Sequence, residues 1–134
     1  MNQEQSNKSS KELIVALGSA DGMIRHESRQ ALVHKGEKAV DDLIRVFKEN
    51  VGPLHFEAAK ALSQIGSPKA VQTFIEALED EEFIVRWVAA EGLCAIGVEV
   101  INPLLNILKH HSDTILLREG IHHVFYDFVS RKLV

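Results

Sequence analysis

The stretch VRWVAAEGLCAIG at residues 85–97 decides the fold. Val85 and Leu93 stand eight residues apart, Ala89 and Gly92 lie between them, and Gly97 closes the stretch four residues after Leu93. Apolar positions at this spacing share one face of a helix. Small residues on that face let a second helix approach closely, and a glycine just beyond the last turn ends the helix in a left-handed cap. The same pattern occurs at Ile24 with Leu32, Leu54 with Leu62, and Leu117 with Phe125, always with a spacing of eight. Gly36 and Gly66 repeat the closing glycine.

A second pattern precedes each copy. Leu13-Ile14 with Leu17, Leu43-Ile44 with Phe47, Phe74-Ile75 with Leu78, and Leu104-Leu105 with Leu108 are triplets whose first members are 30, 31 and 30 residues apart. Positions i, i+1 and i+4 form one buried stripe, so the chain alternates A helices bearing the triplet with B helices bearing the eight-residue pair. The spacing predicts helices over 9–18, 23–35, 39–49, 53–65, 68–79, 82–96, 99–110 and 113–131. Ser67-Pro68 and Asn102-Pro103 read as N-caps followed by first-turn prolines, and Val98 to Ile101 as loop or a kinked early turn. One pair of helices cannot bury both stripes. The expected fold is therefore all-α, a right-handed α-solenoid of about four helical pairs sharing one core. Its repeats fall at 11–36, 37–66, 67–97 and 98–134, behind a disordered polar tail at 1–10.

Composition narrows function by exclusion. At 134 residues with 46% hydrophobic and 25% charged, the chain has the size and make-up of one globular domain with its own core. A net charge of −4 gives no basic surplus for a phosphate backbone, so nucleic acid is not an expected partner. Cys94 is the only cysteine, which leaves no internal disulfide and no cysteine cluster for zinc. The opening MNQEQSNKSS holds no apolar leader and no apolar run is long enough to span a bilayer. Cytoplasmic location without membrane contact is the expectation.

The stretches VRWVAAEGLCAIG at 85–97 and LHFEAAKALSQIGSPKAV at 54–71 resemble HEAT repeats of the short phycobilin-lyase type, and IRHESRQALVHKG at 24–36 is a weaker copy. The resemblance covers nearly all the chain after residue 10. It implies that the B helices line a concave side. On that side one row of positions reads His26, Phe56, Trp87, Glu119, the next Gln30, Lys60, Glu91, His123, and a third Val33, Ser63, Cys94, Tyr126. Phe56 and Trp87 then act as anchors for a protein partner, with His26, Lys60, Glu91, Glu119, His123 and Tyr126 giving polar selectivity. The alternative for the two aromatics is ordinary core, wedged between adjacent B helices.

The preferred function is thus a non-enzymatic protein-binding scaffold or adaptor without a cofactor. The alternative implied by the resemblance is a bilin lyase-like or chromophore-handling subunit. A further relative, the HEAT-like deoxyhypusine hydroxylases, holds a di-iron centre with His-Glu pairs on several repeats. Here His26-Glu27 matches one pair, but the corresponding positions are Phe56-Glu57, Trp87-Val88 and Glu119-Gly120, so no metal site is expected. His110-His111 suits a helix C-terminus, and His122-His123 points to two helix faces. Cys94 with His123 across adjacent helices would lack an orienting third group, so no catalytic residue is assigned. The acidic run Glu76, Glu79, Asp80, Glu81, Glu82 spans the link before the third B helix, whose N-terminus suits Asp80, Glu81 and Glu82, and a basic peptide would find the edge attractive.

LLREGIHHVFYDFVSRKLV at 116–134 carries more apolar residues than one stripe can bury. Either further sequence belongs beyond it, or the helix bends back over the core, or this end makes a homodimer contact through Leu116, Val124 and Phe128.

Overall fold

The computed structural model describes residues 7–110 and 114–134, and among these every regular element is helical. Eight α-helices follow in order: α1 Ser10–Leu17, α2 Gly22–Lys35, α3 Glu37–Glu49, α4 Pro53–Ile65, α5 Val71–Ala77, α6 Phe83–Ile96, α7 Ile101–His110 and α8 Ile115–Ser130. These are the four A and B pairs read from the periodicity. Two 3₁₀ turns, Pro68–Ala70 and Val98–Val100, lead into α5 and α7. Asn102 therefore lies inside the first turn of α7 and does not cap it. Pro103 sits where backbone N–H groups have no helical acceptor.

Residues 1–6 of the expected tail, and His111 to Asp113 of the last link, lie outside the described residues. Ser9 caps α1 by accepting the Glu12 N–H at 3.2 Å. Of the three closing glycines only Gly66 adopts the left-handed helical conformation, at φ 70° and ψ 27°. Gly36 (63°, −130°) and Gly97 (99°, −159°) take a region that a Cβ all but forbids, which turns the chain directly into the next element.

Contacts divide the chain into two compact units, Met1–Ser67 and Pro68–Val134, at the boundary between the second and third repeats. In the first unit α1 packs on α2, α3 on α4, and α2 on α4. Its core is Leu13, Leu17, Ala31, Leu32, Val40, Leu43, Ala58, Ala61 and Leu62, all essentially without exposure. In the second unit α5 packs on α6 and α6 on α8, around Phe74, Leu78, Val85, Leu93, Leu117, Val124 and Phe128.

Val124 and Phe128 are thus core residues, and the self-association expected of them is corrected. Leu117, Ile121, Val124 and Phe128 recur at four, three and four residues, a single stripe buried along α8. The apolar surplus lies on other faces, where Ile115, Tyr126 and Val129 are exposed and Leu116 is half-buried.

A row of basic side chains fixes the links between A and B helices. Arg25 donates through one guanidinium nitrogen to the carbonyls of Ser19 and Ala20 at 2.7 and 3.0 Å. Arg86 does the same to Asp80 and Glu81 at 2.7 and 3.1 Å. In the repeat between them His55 donates its Nδ1–H to the Phe47 carbonyl at 2.8 Å while stacking on the Phe47 ring at 4.1 Å. Carbonyls at a helix C-terminus lack partners in the helix and carry partial negative charge, so a basic group satisfies both needs.

Close packing explains why glycine stands at position 92. A Cβ there would lie 2.6 Å from two atoms of the Phe74 ring. A rigid aromatic cannot fold aside as a flexible side chain can. Gly92→Ala is expected to destabilise the protein by about 1–3 kcal/mol, read as a lowered urea midpoint with an unchanged slope.

Candidate functional site

In the second unit, α6 and α8 lie side by side and bring three of the expected binding residues together. Trp87 stays 46% exposed although its ring is held. The His123 ring lies 4.9 Å from it at an interplanar angle of 59°, and His123 Nε2–H donates to Glu91 Oε1 at 2.9 Å. The start of α8 is also tied to the link between α5 and α6, where Thr114 Oγ1 donates to Glu79 Oε2 at 2.9 Å, and Thr114 Oγ1 accepts the Leu117 N–H at 3.1 Å. An indole fixed on a hydrogen-bonded imidazole can offer its remaining face to a partner with little further ordering cost.

Beside this trio an open cleft of about 830 Å³ runs along α8, bounded by Leu108, Arg118, Glu119, His122, Phe125 and Tyr126. His123 also borders it, and Tyr126 is 68% exposed with its ring 6.3 Å from that of His122. Glu119 and Tyr126 therefore belong to the cleft rather than to the indole trio. His122, which the row alignment passed over, belongs there as well.

The first unit holds the remaining residues. Phe56 is half-buried with Lys60 Nζ 5.5 Å from its ring centroid, a cation–π pair. His26 is exposed, but Arg29 donates to its Nδ1 at 3.1 Å. Arg29 also donates to Glu57 Oε2 at 2.6 Å, and Arg25 Nε lies 3.8 Å from Glu57 Oε1. Arg29 Nε is buried with no hydrogen-bond partner among the described residues. His26 thus faces an arginine, and the lone pair a metal would need at Nδ1 is engaged. Among the described residues no group of three or more His, Cys, Asp or Glu could hold a metal ion.

Cys94 is buried on α6. Burial pushes its thiol from the ordinary 9.0 up to about 12, with Asp127 and Glu91 adding repulsion and Asp127 a hydrogen bond, against the opposing pull of Arg131. His123, its possible base, is committed to Glu91 and Trp87. The acidic run is partly structural too. Asp80 accepts the Glu82 N–H at 2.9 Å, and the carbonyls of Asp80 and Glu81 receive Arg86.

The comparisons with known proteins agree with this architecture. Residues 10–94 match the model of HEAT repeats, and residues 85–110 that of the PBS lyase HEAT-like repeat. Over 79 residues, 54% of this chain, the sequence is 37% identical to the phycocyanobilin lyase subunit alpha of Picosynechococcus sp.. The match spans only 30% of that protein's length. Among the described residues no helix is long and apolar enough to cross a membrane.

The raised thiol gives a direct test of the chemistry assigned to Cys94. Thiolate is the reactive form, so a rise from 9.0 to about 12 lowers its fraction near neutral pH about a thousandfold. Iodoacetamide at pH 8 is expected to alkylate native Cys94 far more slowly than the urea-unfolded chain. The sign follows for stability: the contribution is complete below the unfolded pKa and is lost as pH rises through the folded one. Asp127→Asn, which removes a charge and alters the hydrogen bond, is expected to speed alkylation of the native protein.

Proposed function

The chain belongs to the HEAT-repeat family, with repeats of the phycobilin-lyase type, and from this premise we propose that it is a binding module which docks a protein on its B-helix surface around Trp87. The observation that carries the reading is the indole itself. Trp87 is 46% exposed, yet its ring packs against His123, which is itself tied to Glu91. Aromatic anchors with a polar surround are the usual energetic centre of a protein interface. Phe56 under Lys60 supplies a second anchor of the same kind in the first unit.

The test is retention of a partner from extract of the protein's own cells by immobilised wild type and by the Phe56→Ala/Trp87→Ala double variant. The variant is expected to bind the retained protein at least about tenfold more weakly while keeping its circular dichroism and urea midpoint. Equal retention by the two would sink the reading.

A second reading is favoured by the identity with the phycocyanobilin lyase subunit: the same surface handles a linear tetrapyrrole, alone or on its carrier protein. The open cleft, with Arg118 and His122 for carboxylates and Tyr126 and Phe125 for rings, has the mixed lining such a ligand needs. Trp87 is the only tryptophan, so its fluorescence reports on this region without labelling. Titration with phycocyanobilin is expected, on this reading, to quench Trp87 saturably and to shift the visible band. A spectrum unchanged from free pigment and an unquenched Trp87 would exclude it.

A further inference from the structure

The face shared by α6 and α8 can be followed as a ladder, because the two helices run parallel. Thr114 meets Glu79 ahead of both, and Arg131 donates to the Cys94 carbonyl at 2.9 Å near their far ends. The Glu91–His123 bond joins residues 32 apart and marks one rung. By the same register, Trp87 and Glu119 stand one turn before it, Phe83 and Ile115 two turns before it, and Ala95 and Asp127 one turn after it.

The far rung already holds a guanidinium. Arg131 donates through Nε to Asp127 at 2.8 Å, and its guanidinium carbon lies 5.8 Å from the centroid of the Phe128 ring. Ala95, Asp127 and Arg131 border a small cleft there with Glu91 and Cys94. A carboxylate and an aromatic thus fix one cation. Trp87 and Glu119 present the same two groups, and indole is the strongest aromatic face for a cation. Among the described residues no arginine or lysine takes them. Glu119 is exposed and its carboxylate makes no hydrogen bond or ion pair there, while the ring against Trp87 is that of His123.

The first rung adds apolar surface. Phe83 is 67% exposed and Ile115 69% exposed, and large open apolar groups gathered with Trp87 at one end of two packed helices mark an interface. Arg86 lies 5.7 Å from the Phe83 ring centroid, but its guanidinium is bonded to the carbonyls of Asp80 and Glu81. Beside this patch Glu76, Glu79, Asp80, Glu81 and Glu82 follow one another with no basic residue between them. Glu79 is used by Thr114 and Asp80 by the Glu82 N–H, whereas the Glu81 and Glu82 carboxylates are exposed and unpaired among the described residues. Such a rim repels an acidic partner and attracts a basic one.

We propose that this end of the α6–α8 face receives a basic amphipathic segment of a partner protein, whose arginine lies on Trp87 against Glu119 while its apolar side chains cover Phe83 and Ile115. The inference rests on the docking role proposed for Trp87 and supplies the chemistry of what docks.

The test is titration of the full chain with a synthetic helical peptide of leucine and arginine, and with its counterpart carrying glutamate in place of arginine. Neither peptide contains an aromatic residue, so Trp87, the only tryptophan, reports binding directly. The arginine peptide is expected to change Trp87 emission saturably, with an affinity that falls as salt is raised, and the glutamate peptide to leave it unchanged. Glu119→Lys and Phe83→Ala are each expected to weaken the arginine peptide at least about tenfold. Glu99→Lys makes the same charge change beyond the far end of α6 and is expected to bind as wild type does. Circular dichroism checks each variant, with Glu119→Gln replacing Glu119→Lys if helicity is lost. Absence of binding, equal binding of the glutamate peptide, indifference to Glu119→Lys, or a loss as large with Glu99→Lys would each overturn the proposal. A cellular partner that needs Trp87 yet ignores Glu119→Lys would overturn the basic chemistry and leave the docking role standing.

Discussion

A helical pair of this length has apolar surface on two sides and can cover only one of them by itself, and that single constraint organises both units. Within each unit the remedy is the seating of the second B helix on the pair before it. It is made with different chemistry each time: a carboxylate between arginines at Glu57, and bare backbone at Gly120, where Leu78 fills the space of a side chain. Covering a leucine in this way is worth about 1.5–3 kcal/mol, enough for a few such contacts to decide whether the pair folds. The Glu57 contact is the costlier design. Two charges leave water to make it, and Arg29 Nε goes without a partner among the described residues, so its value lies more in register than in net stability.

Once seated, the pairs are pinned at their links. Arg25, His55 and Arg86 each reach back to carbonyls at or just beyond the end of the preceding A helix. This device holds the link without using the B-helix face that carries Trp87, Glu91 and His123. Core, link and exposed face are therefore three separate sets of positions, and substitutions on the exposed face can change what is bound at little expense to folding.

The repeat made most of the fold readable. Apolar triplets and eight-residue pairs located the eight α-helices among the described residues, with ends off by no more than a few residues, because burial imposes the same spacing in every copy. The misreadings fall where local backbone chemistry or choice among faces decides. Pro68–Ala70 became a 3₁₀ turn, a distinction that apolar spacing does not encode, whereas the 3₁₀ turn Val98–Val100 is the kinked early turn, one of the two readings of that stretch. Val124 and Phe128 were read as surplus because α8 is apolar on several sides, and only packing against its neighbours shows which stripe is inward. The pairing of Glu91 with His123 joins residues 32 apart in one row of the repeat, so alignment placed them as neighbours without showing that they bond. The basic register at 25, 55, 86 and 118 was legible in principle, but a search for apolar periodicity passes over it.

The groups that would suggest chemistry are each engaged in ways that work against it. The Cys94 thiol is held protonated by burial and by Asp127 and Glu91, His26 accepts from Arg29, and His123 is bonded to a carboxylate while stacked on an indole. A nucleophile needs a lowered pKa or a nearby base, and a ligand set needs several free lone pairs converging on one point. The exposed indole has the opposite character. Its partners hold it still and leave a face uncovered, and a large apolar surface kept rigid in water gains most by being covered. That physical asymmetry, engaged polar groups beside an ordered and open aromatic, is why the proposed binding role is centred on Trp87 rather than on Cys94 or His26.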